Sequence, residues 1–305
     1  VASAIFTQGI PTWSIYSWPI ALSKPAFIAS SIRILIWSYS PLARRSTDLA
    51  ELTRVVRENR VIVFPAYPWR FNPVIQDVKK LIDSGVLGKP LDIEIRVVVG
   101  QIRPDSENPS HFMHTDKEEG GGILHMLGGH YLEVARFLMD CEVKSVQAMN
   151  GRPVGLIEKP LEDVSIAALE FENGAYGSIH AGYLTVNRLL RGVKSEDDSV
   201  LIFRGELGEA NWTPIGSNKI EVRSAHSSWS GSPVKTYHYE MPSSPVPGYA
   251  ENQWMFDLVQ SFIDAVIDRT ESPLTIENAL HTLQLIDAIY ESGRKGERID
   301  IKYYQ

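Results

Sequence analysis

The 305-residue chain holds one cysteine, Cys141, so no disulfide can close within it. Packing and hydrogen bonds must hold the interior, and cysteine usage this sparse fits a reducing compartment, read here as cytoplasmic. No run of about 18 apolar residues occurs, which argues against a membrane-spanning helix. Acidic residues outnumber basic ones, 37 to 30, for a net charge of −7. A protein of that sign makes a poor partner for nucleic acid. Acid is also missing locally: no Asp or Glu precedes Asp48, and only Lys24 and Arg33 are basic before Pro41. A transit peptide would be rich in Arg, and a secretory signal would set a basic start ahead of a compact apolar core. Residues 1–47 meet neither pattern and read as an aberrant N-terminal segment. Finally, no G-x-G-x-x-G occurs anywhere, so the glycine turn that seats a pyrophosphate in doubly wound sheets is lacking.

What is present becomes regular from Ser46 onward. Ser46 or Thr47 can cap a helix whose first turn carries Asp48 and Glu51, where the helix dipole favours acids. Leu49, Leu52, Val55 and Val56 give that helix an apolar stripe, and Asn59 ends it. Val61 to Phe64 is a short apolar run of the kind found in buried parallel strands. A second amphipathic helix is expected over Val74–Ile82, and Leu91–Val99 alternates as a half-exposed strand does. Residues 101–119 read as a long polar loop, and Leu124–Met139 as a helix. Strands follow through 143–203, with Glu172-Asn173-Gly174 as a hairpin turn between Ile166–Phe171 and Tyr176–Tyr183. Val200–Phe203 and Ile220–Val222 continue the meander, residues 224–248 read as an exposed excursion, and two helices, Asn252–Ile267 and Ile276–Ser292, close the chain. The class is therefore α/β (α+β). A truncated Rossmann-like parallel sheet, with a remnant at 48–72, precedes a larger domain, 73–305, built on a mostly antiparallel open sheet covered by helices.

Three segments stand out: Pro41-Leu42-Ala43 with the helix, strand and Arg70-Phe71-Asn72-Pro73 turn that follow; Gly120-Gly121-Gly122 through Gly128-Gly129-His130; and the tail with Asn278-Ala279-Leu280, Tyr290-Glu291-Ser292 and Gly296. Together they resemble the Gfo/Idh/MocA family, named for glucose–fructose oxidoreductase and inositol dehydrogenase. The resemblance covers roughly residues 41–305. It implies oxidation or reduction of a sugar, inositol or related polyol with NAD or NADP, and a homo-oligomer formed through the C-terminal sheet. The chain also departs from the pattern. Ser40 stands where the family carries Lys before Pro-Leu-Ala, and Met126 where it carries Asp.

Removing a proton from a carbinol calls for a base that titrates near neutrality, which histidine does. His130 is the catalytic candidate that the resemblance implies. Gly128 and Gly129 would leave room beside it for a backbone or ligand, and Glu133, three residues on, could orient it. The plain alternative is a partly buried helix histidine with a carboxylate neighbour. Tyr67 and Arg70 lie just beyond the carboxyl end of a buried strand, where open α/β sheets bind ligands; an ion pair and a packed ring at a junction is their plain alternative. His125, beside the Met126 position, is a further substrate-side candidate, although five residues on an α-helix turn it about 140° from His130. His180 and Tyr183 are candidates on one strand, facing opposite ways. On the cofactor side the resemblance points to Ser40, Pro41 and Arg70.

Two other readings stay open. One is a non-catalytic sugar-binding or oligomerisation module whose cofactor site is lost. The other is a metal-dependent hydrolase using His111 and His114, which sit with His125, His130 and several acids among half of the chain's 8 histidines.

Overall fold

The computed structural model describes residues 35–39, 42–59, 62–100, 122–155, 161–185, 198–215, 217–240, 253–268, 270 and 272–304. Two parallel strands come first, β1 (Leu35–Tyr39) and β2 (Ile62–Ala66), joined through helix α1 (Ser46–Asn59). Strand, helix and parallel strand form one crossover unit of a doubly wound sheet. β1 lies ahead of residue 48, so this sheet begins inside the segment that the sequence reading set apart as aberrant. A 3₁₀ turn (Pro68–Phe71) then leads into helix α2 (Pro73–Asp83). Asn72 caps α2 by accepting from the backbone N–H of Val74, and Pro73 at its first position has no amide to satisfy.

The second unit is a nine-stranded sheet. Its strands are β3 (Pro90–Gly100), β4 (Val143–Gly151), β5 (Val164–Phe171), β6 (Tyr176–Thr185), β7 (Asp198–Gly205), β8 (Gly208–Trp212), β9 (Lys219–Ser224), β10 (Val234–His238) and β11 (Ile299–Asp300), in the order β10-β9-β8-β7-β3-β6-β5-β4-β11. All neighbours are antiparallel except β3 and β6. The hairpin expected at Glu172–Gly174 joins β5 to β6, with Gly174 at φ +84°. Residues 224–240 differ from the exposed excursion expected there, because they supply a 3₁₀ turn (Ser227–Trp229) and edge strand β10. The run of Ser and Pro hid a short alternating segment, Val234–His238, that pairs with β9.

Helices α3 (Gly129–Met139) and α5 (Ile276–Lys295) cover one face of this sheet, and α4 (Gln253–Asp268) packs near β2. Alternation decides which residues face them. Ile179, Ala181 and Tyr183 are buried, whereas Tyr176, Ser178 and His180 point the other way. One apolar core runs from Val63 and Phe64 of β2 through Leu132 and Leu138 of α3 to Leu283 and Ile286 of α5. Thr275 closes a capping box with Asn278 at the start of α5, and Gly296 ends it at φ +72°. Among the described residues no helix is long and apolar enough to cross a membrane.

Candidate functional site

The site gathers at the carboxyl ends of β1 and β2. Leu124–Gly128 form a π turn, in which the amide of Gly129 bonds the carbonyl of Leu124 in an i→i+5 pattern, and α3 continues directly from it. The sequence reading, on α-helical geometry, turned His125 and His130 away from each other. A π turn winds more residues into each turn than an α-helix, so the α-helical angle between the two does not apply across Leu124–Gly128. Each histidine meets the segment that follows one parallel strand. His130 stands edge-on to Tyr67, just past β2, with ring centroids 5.6 Å apart. His125 lies beside Arg44, in the loop between β1 and α1. Ligands of open α/β sheets collect at such strand ends.

The glycines ahead of His130 do a different job from the one expected. A Cβ on Gly128 would stand 2.9 Å from Leu124 Cδ1, and one on Gly129 3.1 Å from Ile286 Cδ1. The space they leave is filled by the chain's own side chains, which seats the π turn against α5. Gly122, at φ +101°, does the same for a carboxylate, since its Cβ would fall 2.8 Å from Glu162 Oε2.

His130 is partly buried, and loss of water pushes its pKa down to about 4, so the ring is neutral at physiological pH. Its buried Nδ1 has no hydrogen-bond partner. Glu133 does not orient it. That carboxylate is fully buried and pairs instead with Arg70, whose guanidinium also donates to the Pro273 carbonyl at 3.1 Å and lies 4.7 Å over the Phe137 ring. Arg70 is therefore held as a bridge between β2, α3 and the chain entering α5, in line with its plain alternative.

His125 belongs to a buried chain of three titratable groups. Its Nδ1 is 3.1 Å from the phenol oxygen of Tyr290 on α5, and that phenol donates to Glu162 Oε1 at 3.0 Å. The same oxygen accepts the Leu124 amide at 2.9 Å. Burial raises Glu162 to about 7, partly countered by the backbone amide of Leu124 and the Tyr290 hydroxyl. Burial lowers His125 to about 4; the Arg44 backbone works against the fall and the Arg44 charge adds to it. Glu162 and Tyr290 went unnoticed in the sequence. Their only signals were an acid pair, Glu162-Asp163, ahead of a strand, and a tyrosine in the closing motif.

The structure sets Tyr67 against His130, holds Arg70 on Glu133, and joins His125 instead to Tyr290 and Arg44. Tyr183 is buried on the same side of the sheet and lies within electrostatic reach of Glu162. His180 stands apart on the opposite face, beside Arg96 and Asp198. Ser40, Pro41, His111 and His114 lie outside the described residues, and among the described residues no three metal-ligating side chains cluster.

A bound nicotinamide cofactor needs a seat for its pyrophosphate, usually a free helix N-terminus. The two helices that follow β1 and β2 do not offer one. Asp287 accepts the Ser46 amide at 2.8 Å, and Asn72 caps α2. The described residues thus fit the substrate end of such a site and not the pyrophosphate end.

Residues 75–209 match the model of the GFO/IDH/MocA C-terminal domain. The chain is 28% identical to scyllo-inositol 2-dehydrogenase (NAD(+)) of Bacillus subtilis over 152 residues, 48% of this chain and 41% of that protein's length. It is 20% identical to levoglucosan dehydrogenase of Pseudarthrobacter phenanthrenivorans over 287 residues, 86% of this chain and 72% of that one. A levoglucosan dehydrogenase solved in complex with NADH and levoglucosan superposes with a TM-score of 0.73 at 18% identity, covering 89% of this chain and 74% of that structure. The match to the GFO/IDH/MocA C-terminal domain takes in α2 through β8, and the fold is that of the levoglucosan dehydrogenase structure.

Proposed function

We propose that the chain takes part in nicotinamide-dependent oxidation or reduction of a polyol, the substrate class being a sugar or an inositol. The observation that carries this reading is the neutral His130 ring held edge-on to Tyr67, just past the carboxyl end of β2. Its support is the match of residues 75–209 to the GFO/IDH/MocA C-terminal domain and the relatives that are named as inositol and levoglucosan dehydrogenases.

In this reading His130 is the acid/base. A neutral imidazole can take the carbinol proton, and Tyr67 fixes the plane of its ring. Tyr183 and the apolar wall exclude water. A bound nicotinamide would supply the hydride acceptor; the chain's own residues supply the proton acceptor and the walls. Neither NAD nor NADP is favoured by a residue at hand.

A second reading rests on the occupied helix N-termini and on Ser40 in place of Lys. It makes this chain a polyol-binding or assembly module without turnover. Either way, the uncovered face of the large sheet is proposed as the contact between copies. Met149, Ile166 and Tyr176 are 78%, 49% and 60% exposed there, and Met149 and Ile166 pair across β4 and β5. Titration with NAD(H) and NADP(H), followed by nicotinamide fluorescence, separates the two readings. Saturable micromolar binding supports the enzyme, and no binding up to millimolar supports the module.

A further inference from the structure

Most polar groups near the site are committed to partners: Arg70 to Glu133, Asp287 to Ser46, and Asp163 to the amides of Val154 and Gly155. Open atoms remain on those groups too, at Arg70 Nε, Glu133 Oε2 and Asp163 Oδ1; the His125–Tyr290–Glu162 chain differs in joining two open atoms through three linked titratable groups. His125 is 7% exposed and Glu162 3%. The links between them are ordinary hydrogen bonds, and among the described residues no hydrogen bond is made by His125 Nε2 or Glu162 Oε2 at the two ends, although the Arg44 backbone acts on the His125 ring. A buried polar atom left unpaired is costly, so a chain with an open end at each terminus calls for a use.

We propose that Glu162, Tyr290 and His125 form a proton relay, in which His125 Nε2 takes up a proton and Glu162 stores it. In the first state Glu162 is a carboxylate that accepts from the Tyr290 hydroxyl, Tyr290 Oη accepts from Nδ1–H of His125, and Nε2 carries a bare lone pair. When a proton binds Nε2, the Nδ1 proton passes to Tyr290 Oη, and the phenolic proton passes to Glu162 Oε1. The ring exchanges one tautomer for the other and stays neutral, the phenol is regenerated, and the carboxylate becomes a carboxylic acid. Nothing is oxidised or reduced.

Chemistry and surroundings support the direction. A desolvated imidazolium is disfavoured here, whereas burial already brings Glu162 close to sharing its proton at neutral pH. The groups facing the relay are Arg44 from the loop before α1, Asp163 next to Glu162, Tyr183 from β6, and Asp287 on the same helix as Tyr290. The two acids hold back ionisation of Glu162 and Tyr290; at His125 the Arg44 backbone favours a charge, the Arg44 side chain opposes it, and burial holds the ring neutral. The relay rests on the polyol reading only for its place behind that site; the carbinol proton goes to His130, and the relay takes its proton from the medium. In that setting Tyr290 and Glu162 are positioning residues behind His125.

The test uses the full chain without cofactor or substrate. Histidine labelled with ¹⁵N reports the His125 tautomer, and ¹³C-labelled glutamate reports the Glu162 carboxyl, between roughly pH 5 and pH 9. The relay requires Nε2–H below neutrality and Nδ1–H above it, with the crossover at the pH where Glu162 titrates. Tyr290→Phe should abolish the crossover while Glu162 still titrates, and Glu162→Gln, which keeps the volume, should abolish it too. A single tautomer across the range, an imidazolium within it, or a crossover that survives either substitution overturns the relay. Failure of the polyol reading shows separately, as absence of nicotinamide binding or turnover.

Discussion

The phenol of Tyr290 donates across 3.0 Å to the carboxylate of Glu162, tying the closing helix α5 to the segment that enters β5. That contact keeps a carboxyl group buried against the last glycine of a triple-glycine run, and its stability consequence depends on pH. Glu162 has a folded pKa of about 7, raised from an ordinary value near 4.5. A raised acid contributes stability that is fully present below the unfolded value and is lost as pH climbs through the folded one. Glu162→Gln cannot ionise, so relative to the parent it should gain up to about 3 kcal/mol between pH 4.5 and pH 8. Urea midpoints at the two pH values check this; a pH-independent difference would contradict it.

Arg70 offers a test of structure against ligand binding. Truncating Arg70→Ala leaves Glu133 buried without its cation, which should cost about 3–5 kcal/mol. The double change Arg70→Met with Glu133→Leu removes both charges and should recover most of that loss. Thermal unfolding of the parent and the two variants decides. If Arg70→Ala unfolds like the parent, the guanidinium is free for a ligand and the bridge assignment is wrong.

A second buried cluster sits at the far end of α3. Burial would raise the Glu142 pKa, but hydrogen bonds from Arg136 and then His281 override it and hold the group at about 2. A lowered acid contributes stability above its unfolded value that is lost as pH falls through the folded one. Glu142→Gln should therefore cost about 3 kcal/mol at pH 7, shrinking as pH drops from 4.5 towards 2. Denaturation followed from neutral to acid pH measures it.

The uncovered sheet face predicts self-association. Met149→Lys with Ile166→Glu puts charges into an exposed apolar pair without touching the core. Sedimentation should show the parent as an oligomer and the double variant shifted towards monomer, with unfolding unchanged. Identical sedimentation would remove this face from the assembly.

Most elements were legible because local signals and packing agree. Ser46 and Asn59 bracket α1 as expected, and Glu172-Asn173-Gly174 turns β5 into β6. β10 was missed because a five-residue edge strand within a stretch rich in Ser and Pro carries almost no period. The site was less legible. Glu133 sits three residues from His130, as orienting pairs do, but a partner 63 residues away took it. The π turn at Leu124–Gly128 changes the angular bookkeeping in a way that α-helical spacing cannot show. Glu162 meets His125 only through Tyr290, 128 residues further on, a contact that no local pattern encodes.

The most direct measurement is nicotinamide reduction by the purified chain with a panel of myo-inositol, scyllo-inositol and levoglucosan, alongside His130→Ala. The account predicts turnover with at least one polyol, and a loss of about 10²–10⁴-fold in kcat for His130→Ala, as expected for a general base. Absence of reduction across the panel, or an alanine variant as fast as the parent, would contradict it.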